Sequence, residues 1–462
     1  MTQLMIDNDL ESLKAADYSC VLHPASHIGA LEKNGPFLIH KAKGCHITDS
    51  DQKRYLDAVA GLWCVNVGYG REEIAQIMKE AAGDLCYYPT FTNASNPAQI
   101  SLAEKLLNLA PSHLSKVFFG SSGSDANDTL VKIAWHVHSL RGQPTKRKII
   151  ARHNAYHGTS ISTASLTGIP AFHKHFPLPL DFVLRTTYPH HYSQGLPNES
   201  ESAFTDRLIE EIEALILHEG ADNIAAFIAE PIIAAGGVVP PPASYFPRLQ
   251  QLLKQHHIFL IADEVVTGFG RLGHWFASPR FEIEPDMIST AKGLTSGYFP
   301  LSASFISDSI WQTLRQGADT VGGFYHGYTY SGHPVGAAVA LANIQLIERE
   351  NLLQQAREHG AYLHSELATA FANSPFVGEI RGEGLLAGVQ IMRNADEKVF
   401  PDRKDKLPAK IVAACRKKGL IVRPLPSANT IAISPPLTIS KAEISFLVQT
   451  LADSVEKVMT ET

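Results

Sequence analysis

Short apolar runs alternate with amphipathic stretches along most of the chain from Arg71 onward. An apolar run bounded by turn residues predicts a strand buried on both faces, and apolar positions that recur at helical spacing predict a helix. The strands predicted in this region are residues 116–119, 148–151, 223–229, 258–262 and 300–307. The predicted helices are residues 72–82, 98–109, 202–218, 245–256, 309–315 and 335–348, with a further helix that ends near 138. Strands that alternate with helices predict an α/β fold with a mostly parallel sheet.

The two ends of the chain follow a different pattern. Alternating polar and apolar positions at 37–57 predict a β-meander. Beyond about Leu352 the helices and strands lose their regular alternation and predict an α+β region. The elements predicted there are strands at 377–381, 385–391, 420–423 and 430–434, a helix at 410–417 and a last helix from Ser440. The predicted divisions of the chain are residues 1–68, 69–335 and 336–462.

Residues 168–200 are rich in proline and histidine and predict a loop. The pairs His173/His175 and His190/His191 have the short spacing of metal ligands. No cysteine or carboxylate completes a ligand set at suitable spacing, so we expect no metal site.

Length and composition exclude several classes of protein. A chain of 462 residues predicts one large and one smaller domain, and 45% apolar with 19% charged residues is typical of globular proteins. A net charge of −6 provides no basic field for nucleic acid or for a membrane surface. Five cysteines without a C-x-x-C pair indicate a reducing compartment. Because the N-terminus lacks the apolar run of a signal peptide and no long apolar run follows, we expect a cytoplasmic protein without a membrane span.

Two candidate catalytic residues follow predicted strands. The apolar run 258–262 ends abruptly at Asp263, and Lys292 lies further along between small residues. A carboxylate at the end of a buried strand and a lysine among small residues are the two groups that a pyridoxal phosphate enzyme requires. The lysine amine can condense with the cofactor aldehyde, and the carboxylate keeps the pyridine nitrogen protonated.

A glycine- and serine-rich turn at 120–128 follows the strand 116–119 and opens a helix. The free N–H groups at a helix start, together with serine hydroxyls, can hold a phosphate. Serine and aspartate are also ordinary helix caps, so the turn alone leaves both interpretations open. Tyr156, after the strand 148–151, is either a ring-stacking residue or a surface loop tyrosine.

Residues 268–273 match the dinucleotide fingerprint G-x-G-x-x-G. In that fingerprint the first glycine directly follows a strand and a helix opens at the third. Here several residues separate Gly268 from the predicted strand, and the residues after Gly273 do not resemble a helix start. We therefore interpret 268–273 as a turn and rank a nicotinamide cofactor well below pyridoxal phosphate.

The segments 261–273, 289–293 and 328–334 resemble the class III (ω-) aminotransferases, which are fold-type I pyridoxal phosphate enzymes. The similarity extends from about Phe37 to the end of the chain. It implies a large domain with a mostly parallel seven-stranded sheet and a small α+β domain built from both ends of the chain. Within the family the chain is most similar to transaminases that use pyruvate with amines or ω-amino acids.

The resemblance also implies roles for individual residues. Lys292 and Asp263 would be the catalytic residues, and Thr329 would reach the cofactor of a partner subunit in a homodimer or a dimer of dimers. The cofactor-binding set that the resemblance implies is Ser122, Gly123, Ser124, Tyr156, His157, Glu230, Asp263, Val265, Lys292 and Thr329. No metal belongs to this set.

The implied substrate pocket consists of Trp63, Phe91, Tyr156 and Arg423. Arg423 would bind a substrate carboxylate through two parallel hydrogen bonds and would swing aside for an amine that lacks one. Without the resemblance, Trp63 reads as a packed aromatic residue and Arg423 as a member of a surface salt bridge.

The implied activity is an ω-aminotransferase that moves an amino group from an amine or ω-amino acid, or from a diamine or polyamine, to an α-keto acid. We expect pyruvate as the acceptor and ping-pong kinetics. One alternative is another pyridoxal phosphate reaction on the same fold, such as that of an aminomutase, decarboxylase or epimerase. A second alternative is a non-catalytic protein that kept the fold.

Overall fold

A seven-stranded sheet forms the centre of the computed structural model, which describes residues 10–461. Two four-stranded sheets lie outside it. The strands are β1 (Ile39–Lys43), β2 (His46–Asp49), β3 (Arg54–Asp57), β4 (Leu114–Gly120), β5 (Lys148–Arg152), β6 (Val183–Thr186), β7 (Ile224–Ala229), β8 (Phe259–Asp263), β9 (Met287–Thr290), β10 (Ser302–Ser307), β11 (Val377–Glu383), β12 (Leu386–Ile391), β13 (Leu420–Ile421), β14 (Arg423–Leu425) and β15 (Thr430–Ile433).

Helices connect the strands and cover the sheets. The α-helices are α1 (Leu10–Cys20), α2 (Ile28–Asn34), α3 (Ala60–Trp63), α4 (Glu72–Asp84), α5 (Pro97–Leu109), α6 (Gly123–Leu140), α7 (Ile161–Leu166), α8 (His191–Gln194), α9 (Glu201–Glu219), α10 (Tyr245–Gln255), α11 (Asp308–Val321), α12 (Pro334–Arg349), α13 (Leu352–Phe371), α14 (Leu407–Lys417) and α15 (Lys441–Thr460). None of the helices between residues 10 and 461 is long and apolar enough to cross a membrane.

The central sheet has the order β4-β10-β9-β8-β7-β5-β6. Neighbouring strands from β9 to β6 run parallel, whereas β10 runs antiparallel to both β9 and β4. Every residue of β7 and β8 is buried, as expected for strands covered by helices on both faces. The predicted α/β fold and seven-stranded, mostly parallel sheet are therefore confirmed.

The first of the smaller sheets joins the two ends of the chain. The predicted meander forms β1, β2 and β3, and β13 adds to β3 in parallel through the pairs Leu420–Leu56 and Ile421–Asp57. The second smaller sheet has the order β11-β12-β15-β14. Arg423 is the first residue of β14, and only Val422 separates it from β13, the strand that pairs with the N-terminal segment. The divisions at 68/69 and 335/336 stay predictions.

The prediction of a loop throughout residues 168–200 was wrong. Residues Val183–Thr186 form β6, an edge strand that pairs in parallel with β5. The prediction also lacked β9, which lies between the two candidate catalytic residues. Both strands span only four residues. Four residues are too few to show a regular spacing of apolar positions, so the sequence pattern does not identify these strands. Their extended conformation depends instead on pairing with the neighbouring strands.

Candidate active site

A cavity of about 360 Å³ lies at the carboxyl ends of the parallel strands, where ligands bind in open α/β sheets. The segments that follow β4, β5, β7, β8 and β9 all contribute to its lining. These segments bring together residues that are far apart in the sequence. The predicted site residues on the cavity wall are Ser122, Gly123, Ser124, Tyr156, His157, Glu230, Asp263, Val265 and Lys292.

Asp263, the last residue of β8, is held by three N–H donors. Its Oδ2 accepts hydrogen bonds from His157 Nδ1 and Asn127 Nδ2, both at 2.8 Å. Its Oδ1 accepts one from the backbone N–H of Val265 at 3.1 Å. The residue is only 3% exposed. N–H donors stabilise the charged form of a carboxyl group, so this environment suits a buried carboxylate.

Lys292 opens a short 3₁₀ turn and is separated from the end of β9 only by Ala291. Its backbone has φ +37°, in the left-handed region that non-glycine residues rarely adopt and that is often found at functional sites. Its Nζ has no salt-bridge partner among residues 10–461 and lies 5.9 Å from the centre of the Trp63 ring. Burial lowers the pKa of this lysine, although the nearby Cys64, Asp263 and Glu230 act in the opposite direction.

The glycine- and serine-rich turn begins α6 at the cavity wall. Ser122 caps the helix by accepting a hydrogen bond from the Asp125 N–H at 3.1 Å. Ser124 Oγ accepts one from the N–H of Thr159. A Cβ at Gly123 would lie 3.0 Å from Val265 Cγ1, so a glycine lets the turn lie close to the segment after Asp263 without displacing the Val265 side chain.

Glu230, after β7, anchors the loop that carries Tyr156. Its Oε1 accepts a hydrogen bond from the Tyr156 N–H at 3.0 Å, and its Oε2 accepts one from the Ala234 N–H at 2.9 Å. Burial raises the pKa of Glu230. Burial also raises the pKa of Tyr156, which therefore stays a neutral phenol at the edge of the cavity.

Trp63 and Arg423 stack beside the cavity without belonging to its wall. The Arg423 Cζ lies 5.1 Å from the centre of the Trp63 ring, within the range of a cation–π contact. Burial lowers the pKa of Arg423. Neither Arg423 Nε nor Trp63 Nε1 has a hydrogen-bond partner in the described part of the chain, although both atoms are buried.

The segment that presents Trp63 has an unusual backbone. Ala60 and Trp63 have φ values of +49° and +59°. Asp57 holds the segment in place by accepting hydrogen bonds from the N–H groups of Val59 at 2.9 Å and Gly61 at 2.7 Å. Such strained conformations persist only where the surrounding contacts impose them.

Phe91 and Thr329 do not reach the cavity of this chain. Phe91 is 47% exposed and packs near Gly327. Thr329 is exposed, and its carbonyl accepts a hydrogen bond from Tyr87 Oη at 2.7 Å. The two residues lie on neighbouring loops. Phe91, predicted to line the substrate pocket, and Thr329, predicted to contact a partner subunit's cofactor, are therefore on the same surface.

The model of the family described as Aminotransferase class-III matches residues 28–455. The chain belongs to this family. The diaminobutyrate–2-oxoglutarate transaminase of Halomonas elongata is 42% identical over 423 residues, which cover 91% of this chain and 90% of that protein. The chloroplastic gamma aminobutyrate transaminase 3 of Solanum lycopersicum is 40% identical over 442 residues, which cover 95% and 84%. The solved omega transaminase of Pseudomonas jessenii in complex with PMP matches with a TM-score of 0.95 at 38% identity, covering 97% and 98%.

Class III aminotransferases use pyridoxal phosphate, and this transaminase shares that cofactor. The cavity provides a lysine without a salt bridge, a buried carboxylate and a glycine-rich helix start on its walls. Its volume of about 360 Å³ falls within the range of small-molecule sites. These features fit the cofactor. No group of three or more potential ligands among residues 10–461 is arranged to hold a metal ion.

Residues 268–273 form a turn in this aminotransferase. The N–H groups of Phe269 and Gly270 bond to the carbonyls of Trp275 and His274, and Gly270 and Gly273 adopt φ values of +100° and +81°. No helix starts there. The interpretation of these glycines as a turn is confirmed.

Cys64 and Asn127 are among the cavity-wall residues that the sequence analysis missed. Cys64 follows Trp63, and Asn127 lies in the second turn of α6. Asn127 lies within the glycine- and serine-rich turn at 120–128, but an asparagine near a helix start has many ordinary roles. Its link to Asp263 spans 136 positions, so only the fold reveals it.

Proposed function

We propose that this class III aminotransferase is an ω-transaminase, which moves the amino group of an amine or ω-amino acid to an α-keto acid. The observation that carries the proposal is Arg423, a partly buried guanidinium with no carboxylate partner among residues 10–461. Even a partly buried charge without a partner is unfavourable. A substrate carboxylate would supply the missing partner through two parallel hydrogen bonds.

The Trp63 ring supports the same proposal. The flat indole face beneath the Arg423 guanidinium offers an apolar surface when the arginine turns away. A donor without a carboxylate would then pack against Trp63. Amine donors with and without a distal carboxylate therefore belong to the proposed substrate range, and diamines and polyamines are included.

We expect pyruvate as the keto acid. Lys292 is the only lysine or arginine among the described residues that line the cavity, and Arg423 adds one guanidinium beside it. One guanidinium matches the single carboxylate of pyruvate, whereas 2-oxoglutarate has two. The relatives favour a donor with a carboxylate, since diaminobutyrate and gamma-aminobutyrate appear in their names. One of those names also includes 2-oxoglutarate, which makes that acid the competing acceptor.

Pyridoxal phosphate, when bound, supplies an electron sink for negative charge on the donor carbon. Ser122, Gly123 and Ser124 would hold its phosphate through hydroxyl and backbone N–H groups at the start of α6. Asp263 would hold a proton at the ring nitrogen. Of the remaining predicted cofactor contacts, Tyr156 and Val265 would contact the two ring faces, and His157 and Glu230 would lie at its edge.

Lys292 would move the proton of the reacting carbon. Burial lowers the pKa of its amine, which increases the neutral fraction that can accept a proton. The flexible lysine stem lets the same Nζ take a proton from one carbon and deliver it to another. Because donor and acceptor would react in two separate halves, we expect ping-pong kinetics.

A homodimer would complete the site. Thr329 and Phe91 are exposed on neighbouring loops and do not reach the cavity of their own chain. We propose that Thr329 contacts the phosphate in the partner subunit and that Phe91 forms part of the substrate pocket wall. A dimer of dimers would satisfy the same requirement.

A panel of donors and acceptors tests the proposed function. Purified enzyme is assayed with an ω-amino acid, a diamine and an arylalkylamine, each paired with pyruvate and with 2-oxoglutarate. We expect alanine formation from pyruvate with at least one donor of each type. Glutamate formation alone would overturn the choice of pyruvate. Product formation without any keto acid would indicate a mutase, decarboxylase or epimerase instead.

A further inference from the structure

Asn127 is a buried amide that contacts two elements of the cavity at once. It lies in the second turn of α6 and is only 1% exposed. Its Nδ2 donates one hydrogen bond to Asp263 Oδ2 and another to the backbone carbonyl of His157, both at 2.8 Å. The amide therefore ties α6 to the end of β8 and to the loop after β5.

The chemistry of the two partners fixes the orientation of the amide. A carboxylate and a backbone carbonyl are both acceptors, so the amide nitrogen must face them. An amide nitrogen carries two hydrogens, and each partner uses one of them. Exchange of the nitrogen and oxygen of Asn127 would turn both contacts into repulsions.

The same contacts fix the Asp263 carboxylate. Its Oδ2 accepts from Asn127 on one side and from the His157 ring on the other, both at 2.8 Å. The Val265 N–H holds the other oxygen. A carboxylate with donors on both oxygens cannot rotate without losing at least one hydrogen bond. Asn127 thus contributes to the orientation of Asp263 and to that of the His157 backbone.

We propose that Asn127 is a positioning residue that fixes the Asp263 carboxylate relative to the start of α6. The inference rests on the role of Asp263 in the proposed function. Gly123, the first residue of α6, belongs to the phosphate turn, and Asn127 lies one turn further along the same helix. A single rigid helix would therefore set the separation between the phosphate contacts and the ring-nitrogen contact of the cofactor.

Gln390 provides a matched control. It is also only 1% exposed, and its Nε2 donates to the carbonyls of Ala428 at 2.8 Å and Asn429 at 3.2 Å. It lies on β12, outside the cavity lining. Both amides are buried double donors, but only Asn127 contacts a candidate catalytic carboxylate. A general loss of core hydrogen bonds would affect both sites, whereas a positioning role is specific to Asn127.

The first test compares Asn127→Leu with Gln390→Met in the full-length enzyme. Pyridoxal phosphate is titrated into apoprotein and followed by absorbance, and kcat, KM and Tm are measured in parallel. We expect Asn127→Leu to weaken cofactor affinity and kcat by roughly ten- to a hundredfold, because a hydrogen bond to a charged group is lost. The donor KM should stay within about twofold. Gln390→Met should lower Tm and leave cofactor affinity unchanged.

Asn127→Asp tests the same contact without a change of shape. The titratable groups that face the Asp263 carboxylate from other elements are His157, Tyr156, Glu230 and Lys292. The substitution places a second carboxylate against Asp263, and the pair would share one proton. We expect cofactor affinity to fall as that proton is lost with rising pH. The pH dependence of the bound cofactor's absorbance should therefore differ from that of the wild type.

Wild-type cofactor affinity and wild-type pH dependence in both Asn127 variants would overturn the inference. An equal loss of affinity in Gln390→Met would overturn it as well. Asp263→Asn separates this failure from a failure of the proposed function. If Asp263→Asn is defective while the Asn127 variants behave as wild type, only the positioning role is wrong. If Asp263→Asn also behaves as wild type, the assignment of Asp263 itself is wrong.

Discussion

The site has two ends, the cavity wall at Asp263 and the neighbouring region at Arg423, and they are built in opposite ways. At the Asp263 end, His157, Asn127 and Val265 each donate a hydrogen bond to the same carboxylate. At the Arg423 end, a partly buried guanidinium lies on the Trp63 ring, and its buried Nε has no partner in the described chain. The Asp263 carboxylate is thus held by hydrogen bonds within the protein, whereas the Arg423 end has an N–H donor that is free to bind a substrate.

This difference suits the two kinds of molecule that a transaminase binds. The cofactor is always the same, so a fixed arrangement of donors and acceptors can be complementary to it. Donors and acceptors of the amino group vary, and a site for several substrates benefits from side chains with more than one position. The predictions below test whether substitutions at the Asp263 end affect the cofactor and substitutions at the Arg423 end affect substrate choice.

Loss of Lys292 should have the largest effect. We expect Lys292→Ala to reduce turnover by a factor on the order of 10³ or more, because the proton-moving amine is removed. Lys146→Met is the control, since Lys146 is a buried lysine that donates to backbone carbonyls outside the cavity. It should lower Tm and keep turnover. Steady-state rates with circular dichroism check both, and residual turnover near the wild-type level in Lys292→Ala would remove the lysine from the mechanism.

Asp263→Asn should come next. We expect kcat to fall roughly a hundredfold, as for loss of a fixed electrostatic contact in other enzymes. Asp286 lies at the opposite end of β8, where its Oδ2 accepts a hydrogen bond from the Leu260 N–H at 2.8 Å. Asp286→Asn should therefore affect thermal stability and leave kcat unchanged. Equal losses of kcat in the two variants would contradict a specific role for the carboxylate at the cavity end of β8.

Arg423→Leu should change substrate choice and spare the cofactor. We expect kcat/KM for an ω-amino acid to fall roughly ten- to a hundredfold through loss of a charge-assisted contact, with no loss for an amine that lacks a carboxylate. Arg416 is the matched control, because it stacks on Phe37 at 3.4 Å and lies outside the cavity. Arg416→Leu should leave the ratio of the two donors unchanged. An equal loss of kcat/KM for both donors in Arg423→Leu would contradict a role for Arg423 in substrate choice.

The smallest expected effect is on the pH dependence of stability, through His326, which packs against α6. Burial and the nearby Lys132 lower the pKa of His326 to about 4, and its Nε2 lies 2.8 Å from Thr129 Oγ1 on α6. The unfolded chain, with the ordinary histidine pKa, binds more protons than the folded chain in this range. Stability is therefore full above about pH 6.5 and is lost as pH falls toward 4.

His326→Phe removes this titration and keeps a ring next to Phe118, which stacks on His326 at 5.4 Å. We expect the fall in Tm between pH 6.5 and pH 5 to be shallower in the variant than in the wild type. Differential scanning calorimetry across that range measures it. Identical slopes would mean that His326 does not contribute to the acid sensitivity of this region.

The sequence predicted the cofactor end better than the substrate end. Asp263 follows a conspicuous apolar run, and Lys292 lies among small residues, so local patterns alone indicated their chemistry. Asn127 was missed because its partner is distant in the chain. A hydrogen bond between residues 136 positions apart leaves no periodic signal.

The substrate residues carry even less local information. Trp63 and Arg423 meet only because β13, just before Arg423, pairs with β3, just before the Trp63 segment. Neither residue suggested a pocket by its own spacing, and the resemblance to the aminotransferases supplied both. The absence of a carboxylate partner for Arg423 is a property of the fold and cannot be read from composition.

The most direct test is a half-reaction. Enzyme loaded with pyridoxal phosphate is mixed with one amine donor in the absence of any keto acid, and the absorbance of the bound cofactor is followed. We expect the spectrum to change to that of the aminated cofactor and to return when pyruvate is added, with one equivalent of alanine formed per site. A spectrum that no donor changes, or a change that no keto acid reverses, would contradict transamination by this enzyme.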